Sequence, residues 1–304
     1  MKKIRAAVVG YGNIGKYVVE ALEAAADFEV AGVVRRDASG PQPAELADYP
    51  VRSDVSELPG GVDVAVVCSP SRRVEQTAGA ILARGICTVD SFDIHSEIAG
   101  LRSRLDEIAR AKGAVAVVSA GWDPGSDSVV RALLEACAPL GTTHTNFGPG
   151  MSMGHSVAAR AVAGVREALS MTIPTGGGVH RREVYIELAP GADFESVAAA
   201  IRTDPYFAKD DTRVTEVPSV AALIDMTHGT HIERIGVSGR TAGQKFEFSM
   251  RILNPALTAQ ILVSTARAAV RLRSRGHHGA LTMIELAPID LLPGEKEDII
   301  RRLV

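Results

Sequence analysis

Short apolar runs alternate with longer amphipathic stretches through the first 120 or so residues. Ile4 to Val9, Phe28 to Val34, Val62 to Cys68, Ile86 to Asp90 and Ala114 to Ser119 read as strands. Between them, an alanine-rich pattern running to about Ala26 and the stretches Arg73 to Arg84 and Ile98 to Lys112 read as helices. Such alternation predicts a parallel sheet covered on both faces. Ligands of these sheets lie beyond the carboxyl ends of the strands. The segments to search are therefore those at the strand ends, at 69–71, 90–95 and 119–125.

After Gly125 the pattern changes. Residues 126–138 look helical, and THTNFGPGMSMGHS at 143–156 reads as an irregular binding loop, rich in Gly, Ser, Thr and Met. Val184 to Leu188, Val214 to Val217, Ile232 to Val237 and Phe246 to Leu253 read as strands, with a short helix at Val197 to Arg202. A long helix from Pro255 to about Arg275 and a strand from Ala280 to Leu286 are expected to pack back on the first domain. The fold class is thus α/β: a doubly wound parallel sheet, with a second α+β mixed-sheet domain for substrate binding and dimerisation. Residues 1–121 plus 255–304 are assigned to the first domain and 122–254 to the second.

The first strand ends at Gly10-x-Gly12-x-x-Gly15, with a helical pattern behind it. In that context the first glycine permits a tight turn, the second lets backbone approach a pyrophosphate, and the third lets helix and strand pack closely. The diphosphate would sit on free N–H groups at the helix N-terminus. This is a Rossmann dinucleotide site, expected to be built from Gly10, Tyr11, Gly12, Asn13, Ile14 and Gly15, with Cys68, Ser69, Pro70 and Ser71 after a neighbouring strand. The second strand ends in Arg35 and Arg36, where an NAD-binding fold usually carries an acid for the ribose hydroxyl. Two guanidiniums suit a 2′-phosphate, so NADP is preferred. Asp37 and the reading of both arginines as solvated charges keep NAD open.

Composition narrows the class. Of 304 residues 46% are hydrophobic and 23% charged, with a formal net charge of −3. No basic stripe points to nucleic acid, and no apolar run is long enough to cross a bilayer. Lys2 and Lys3 precede an apolar stretch, but the glycine turn interrupts it where a secretion signal would continue. Cys68, Cys87 and Cys137 form neither a disulfide framework nor a metal pattern, which suits buried reduced thiols in a cytoplasmic protein.

Asp93 and Asp123 follow two successive strands, with Trp122 beside the second. Each alone reads as a helix cap; together, near where a nicotinamide should lie, they suit a substrate ammonium. Asp90 is an alternative member of the pair, unless it points into the sheet. Phe147, Met151, Met153 and His155 read as core or as pocket. Thr172, Arg182, His228 and Asn254 are scattered polar residues that suit a carboxylate if the fold brings them together.

These segments carry a resemblance. VVGYGNIG, VVRR, CTVDSFDIH, VSAGWDPG, NFGPGMSMGHS, His180-Arg181-Arg182, Met226-Thr227-His228-Gly229, Leu253-Asn254-Pro255 and GALTMIELAP, in this order, closely resemble the meso-diaminopimelate D-dehydrogenase family over nearly the whole chain. The resemblance implies NADP-dependent oxidative deamination of the D-centre of meso-2,6-diaminopimelate, giving L-2-amino-6-oxopimelate and ammonia, and reversible. It implies that Asp93 and Asp123 bind the reacting amino group. Trp122, Phe147, Met153 and Gly154 line the pocket, and Thr172, Arg182, His228 and Asn254 hold the distal L-centre. It implies a cytoplasmic homodimer paired through the second domain. Proton transfer is assigned to Asp123 and electrostatic anchoring to Asp93; no metal is expected.

One departure is a short Pro174–Val179 link where many relatives carry an insertion, which predicts a more open pocket and tolerance of other D-amino acids. The alternatives are another two-domain NADP oxidoreductase of amino acid biosynthesis and a dinucleotide sensor without chemistry. An aldehyde dehydrogenase is disfavoured for want of a suitably placed nucleophilic cysteine. Arg35→Asp is expected to move the ratio of kcat/KM values for NADP and NAD toward NAD. An unchanged ratio would remove the argument for a 2′-phosphate clamp.

Overall fold

The computed structural model describes residues 3–224 and 227–304. Lys2 of the rejected signal and Met226 of the motif above lie outside them. The chain forms two compact units, Met1–Val130 with Pro255–Val304, and Arg131–Asn254.

The first unit contains β1 (Ile4–Val9), α1 (Asn13–Glu23), β2 (Phe28–Val34), β3 (Val51–Arg52), β4 (Val64–Val67), α2 (Ser71–Leu82), β5 (Cys87–Asp90), α3 (Ile98–Ala111) and β6 (Val115–Val117). Helix α4 (Ser126–Cys137) crosses the boundary into the second unit. That unit continues with β7 (Leu140–Phe147), β8 (Gly150–Met151), α5 (Met153–Arg160), β9 (Val165–Gly176), β10 (Val179–Leu188), α6 (Phe194–Thr203), β11 (Asp211–Glu216), β12 (Thr227–Ser238) and β13 (Thr241–Leu253). From Asn254 the chain runs through α7 (Asn254–Ser274), β14 (Gly279–Leu281), α8 (Pro288–Leu291) and α9 (Lys296–Leu303).

Seven strands of the first unit form one parallel sheet in the order β14-β6-β5-β4-β1-β2-β3. Its central strands β4 and β6 are wholly apolar and fully buried, as strands covered by helices on both faces are. One core packs Leu101, Leu105 and Ala109 of α3 and Val74, Ala78 and Leu82 of α2 against Ala65, Val67 and Ala116. These positions recur at helical spacing, and their burial supplies roughly 1.5–3 kcal/mol per large side chain. Strand β14 pairs with β6, so the C-terminal tail completes this sheet.

The second unit holds a four-stranded sheet, β11-β10-β9-β8, and a three-stranded antiparallel one, β13-β12-β7. Helices α5 and α6 contribute Ala159, Val197, Ala198 and Ile201 to a core with Val184, Ile186 and the fully buried Phe207.

Several elements differ from the sequence reading. The stretch 143–156 is no open loop: Thr143 to Phe147 pair with β12, Gly150 and Met151 with β9, and Met153 opens α5. Threonines alternating with larger residues are good strand material, and the glycines only punctuate it. Strand β9 carries no clear strand pattern in the sequence, because Arg166, Glu167 and Pro174 interrupt its apolar positions. The Gly176-Gly177-Gly178 link is a tight hairpin in which Gly177 and Gly178 have φ of 60° and 80°, the two-residue geometry that favours glycine. The expected strand 280–286 stops at Leu281, where Thr282 and Glu285 form a capping box for a short 3-10 turn. Cys137 is exposed rather than buried, at the end of α4.

Candidate active site

The three glycines of the first turn are required for three separate steric reasons. Gly10 takes a φ of 99° and passes so near β4 that a Cβ would lie 3.0 Å from the Cys68 carbonyl oxygen. A Cβ on Gly15 would sit 2.1 Å from the Gly10 carbonyl oxygen, so strand and helix pack backbone to backbone. At Gly12, the N-cap of α1, a Cβ would meet nothing within 4 Å. That open space in front of the unpaired N–H groups of α1 fits a dinucleotide diphosphate.

At the end of β2, Arg35 donates from Nη1 to Gln42 Oε1 at 2.6 Å and lies 5.9 Å from the Tyr11 ring centroid. Arg36 is exposed. Asp37 is occupied by its own turn, where Oδ1 accepts from the Gly40 N–H at 2.9 Å and the Ser39 hydroxyl at 3.3 Å. Beyond β4, the Cys68 N–H donates to the Val9 carbonyl at 2.8 Å. The Cys68 Sγ faces the Val66 carbonyl at 3.7 Å, and desolvation pushes its thiol up to about 12. Burial thus works against forming the thiolate that a nucleophilic cysteine needs.

The two acids follow β5 and β6. Asp93 does not cap a helix: α3 has Glu97 as its N-cap, with no side-chain hydrogen bond. Instead Asp93 Oδ1 accepts from the Ser71 hydroxyl at 2.6 Å, and the Asp93 N–H returns to Ser71 Oγ at 3.3 Å. A residue expected to face the cofactor and one expected to face the substrate are therefore directly joined. Asp123 leads into the cis Asp123–Pro124 peptide, with its carboxylate 3.9 Å from His95 Nε2. The Asp123 side chain is only 6% exposed against 63% for His95, so the imidazole screens a carboxylate held largely away from water. Trp122 is buried, and its carbonyl accepts from the Asp127 N–H at 2.9 Å and the Ser126 hydroxyl at 3.2 Å. Asp90 points inward and is fully buried, so it does not join the pair. Its Oδ1 accepts from the Phe92 N–H at 3.0 Å and the Ser119 N–H at 3.1 Å. Burial pushes its carboxyl up to about 6, against the lowering effect of those two N–H donors.

In the second unit Thr172 and Arg182 face each other across β9 and β10, and Arg182 Nη1 donates to Thr172 Oγ1. Arg182 Nε donates to Asp210 Oδ2 at 2.6 Å. Gly150 pairs with Thr172, and a Cβ on Gly150 would lie 2.6 Å from His228 Cα, which brings His228 to the same region. Asn254 follows Leu253, the partner of Thr227, and so shares one end of the β12–β13 ladder with His228. Phe147 donates its N–H to His180 Nε2 at 2.7 Å, and the two rings lie 5.3 Å apart. Met153 is half-buried against Met151, Leu169 and Val220, with Gly154 next on α5.

Two neighbours of these residues escaped the sequence reading. His95 stands two residues past Asp93 in a segment already singled out, and its spacing was the available signal. Asp210 lies in an irregular stretch with no periodicity to mark it. Among the described residues, His231, Glu233 and Glu247 bring metal-ligand atoms within 4.8 Å of one another. Lys245 Nζ lies 3.2 Å from Glu233 and 2.8 Å from Glu247, so an ammonium already balances those acids.

A glycine turn feeding a parallel sheet, with a mixed-sheet second unit, defines the class: a two-domain Rossmann oxidoreductase of the NAD(P)-binding type. Residues 4–89 match the model of the oxidoreductase family with an NAD-binding Rossmann fold, and residues 121–253 match the diaminopimelic acid dehydrogenase C-terminal domain. A Bacteroides fragilis protein named meso-diaminopimelate D-dehydrogenase is 62% identical over 304 residues, covering 100% of both chains. The structure of Corynebacterium glutamicum DAP dehydrogenase in complex with DAP superposes with a TM-score of 0.92 at 33% identity, covering 100% of both chains. An engineered D-amino acid dehydrogenase bound to NADP+ gives 0.89 at 31% identity, again over 100% of both chains. The chain belongs to the meso-diaminopimelate D-dehydrogenase family. No described helix is long and apolar enough to cross a membrane.

His155, in the stretch shared with Met151 and Met153, packs edge-on to Tyr206 and Phe207 at 5.5 and 5.2 Å. Burial, then the Arg182 charge, pushes its pKa down to about 4 from 6.5. The folded state therefore stays neutral where the unfolded chain takes up a proton, and stability falls as pH drops from about 6.5 toward about 4. His155→Gln is expected to flatten that part of the urea-midpoint profile relative to the unchanged protein. Identical slopes for the two proteins would contradict a neutral buried imidazole.

Proposed function

We propose that the chain catalyses reversible, NADP-dependent oxidative deamination of the D-centre of meso-2,6-diaminopimelate to L-2-amino-6-oxopimelate and ammonia. The observation that carries this reading is the 62% identity to the Bacteroides fragilis enzyme along all of both chains. That relationship favours it over a different amino acid reductase or a dinucleotide sensor.

NADP would be held by Gly10, Tyr11, Gly12, Asn13, Ile14, Gly15, Arg35, Arg36 and the 68–71 segment. The preference for NADP rests on the paired guanidiniums at the end of β2 and on Asp37 being engaged by Gly40 and Ser39. Held by these residues, the coenzyme would supply the oxidant for hydride transfer. Asp93 and Asp123 bind the reacting amino group. Asp93 anchors it electrostatically, and Asp123, largely withdrawn from water, takes the ammonium proton so that the amine lone pair can assist loss of the Cα–H. Water then hydrolyses the imine. Thr172, Arg182, His228 and Asn254 hold the distal L-centre, with Arg182 facing its carboxylate. Trp122, Phe147, Met153 and Gly154 line the pocket. Holding both ends fixes which Cα–H faces the cofactor, and such orientation is worth several kcal/mol of barrier.

Residues 1–121 with 255–304 serve as the cofactor domain and 122–254 as the substrate and dimerisation domain. The enzyme works in the cytoplasm as a homodimer paired through the second domain. Support comes from edge strand β13, which presents half-buried Phe246, Phe248, Met250 and Ile252 on one face.

Coenzyme reduction should be rapid with meso-diaminopimelate and absent with the LL isomer; equal rates, or none with meso, would overturn the assignment. The compact Gly176–Gly178 hairpin supports tolerance of other D-amino acids, and activity confined to the meso compound in the same panel would dismiss that breadth. Asp123→Asn should lower kcat by about 10²–10⁴ with little change in KM. An unchanged kcat would reject Asp123 as the proton acceptor.

A further inference from the structure

Asp90 is chemically costly where it stands. It is a fully buried carboxylate at the end of β5, and its Oδ2 has no hydrogen-bond partner among the described residues. An apolar residue would end a buried parallel strand at lower desolvation cost. What distinguishes Asp90 is the pair of backbones that its other oxygen joins. The Phe92 N–H belongs to the segment that carries Asp93 one residue on. The Ser119 N–H belongs to the segment that carries Trp122 and Asp123 three and four residues on. The Asp90 carbonyl oxygen also takes the Ala120 N–H at 2.7 Å, so the second segment is gripped twice.

Ser119 supplies a second, independent observation. It is the only non-glycine among the described residues with a positive φ, at 56°. Such a conformation is costly for a residue with a side chain and persists only where the surroundings impose it. Here the Asp90 bond to the Ser119 N–H is part of what imposes it. Ser119 is a bend just past β6, between Val118 and Ala120, whose N–H groups donate to the Leu281 and Asp90 carbonyls at 2.9 and 2.7 Å.

We propose that Asp90 is a positioning residue: by holding the Phe92 and Ser119 N–H groups on one oxygen, it sets the spacing of Asp93 and Asp123 for the substrate ammonium. The proposal rests on the reading of those two acids as the amino-binding pair. Asp90 acts through backbone and touches neither substrate nor cofactor. Its function is that of a hydrogen-bond acceptor, so a neutral acceptor of the same shape should replace it. The grip also reaches the cofactor side indirectly, since Asp93 is bonded to Ser71 at the start of α2.

The test compares Asp90→Asn and Asp90→Ala in the full-length enzyme with meso-diaminopimelate and coenzyme. Asp90→Asn keeps one carbonyl oxygen in place and should retain kcat/KM within about threefold. Asp90→Ala should lose on the order of 10²-fold in kcat/KM, the scale of an ångström-sized misplacement. Coenzyme affinity should change less than kcat/KM in both, because Asp90 reaches the cofactor segment only through the Asp93–Ser71 bond. A purely structural role would lower the unfolding midpoint of Asp90→Ala and leave kcat and KM at the level of the unsubstituted enzyme, which would overturn the proposal. Comparable losses of kcat/KM in Asn and Ala would overturn it too, by pointing to the charge instead of the acceptor. If Asp90→Ala does not fold, Asp90→Asn decides alone: retained activity supports the proposal, and a loss of tenfold or more overturns it. Failure of the amino-binding reading itself shows in the unsubstituted enzyme, as absent turnover of meso-diaminopimelate.

Discussion

Parallel pairing in near register is the constraint on which the rest of the first unit depends. Val9 pairs with Val67, Val67 with Asp90, and Val89 with Val117. Four neighbouring strands therefore stop at nearly one level, and whatever follows each of them emerges along one edge. The glycine turn follows β1, the Cys68–Ser71 segment follows β4, the Asp93 segment follows β5, and the Trp122–Asp123 turn comes after β6. Parallel strands require crossover helices, and those helices bury the strands on both faces. Within the strands of this sheet Thr88 and Asp90 are polar and buried, and Ser119, just past β6, is buried as well.

Much of this was legible from residue pattern. Strands β1 and β2 were placed to the residue, because apolar runs bounded by glycine and charge leave little choice. The cofactor turn was legible because its three glycines answer three distinct steric demands. The second unit was harder to read. Its sheets carry charge within the strands, as at Arg166 and Glu167 of β9 and at Lys245 and Glu247 of β13, so the alternation is weak. The segment from Thr143 to Ser156 has the composition of a loop, yet all of it but Gly148, Pro149 and Ser152 lies in a strand or a helix. Pairing partners distant in sequence supply that order, and local composition does not encode them.

The site residues divide along the same line. Those that stand after a strand of the parallel sheet, Asp93 and Asp123, stood out by position. Those of the second unit, Thr172, Arg182, His228 and Asn254, had no local signature, and their association with substrate came from resemblance. The ladder explains part of their association: Thr172 sits opposite Arg182 and opposite Gly150, beside His228. Arg182 is paired with Asp210, with side chains 14% and 24% exposed, so the guanidinium is already oriented by a carboxylate in a partly desolvated setting. A planar fork held in this way keeps its remaining N–H groups in fixed directions. Asp210 and His95 belong to a common category of omission, since both act on a recognised residue across space.

At the centre of the proposed mechanism, two carboxylates grip one ammonium. The most direct test is a crystal structure of the enzyme with meso-diaminopimelate and oxidised coenzyme, read at the D-centre nitrogen. The account predicts that nitrogen at about 2.7–2.9 Å from carboxylate oxygens of both Asp93 and Asp123, the distance of charge-assisted hydrogen bonds. A nitrogen bound by neither acid, with both carboxylates turned toward Ser71 and His95 alone, would contradict it.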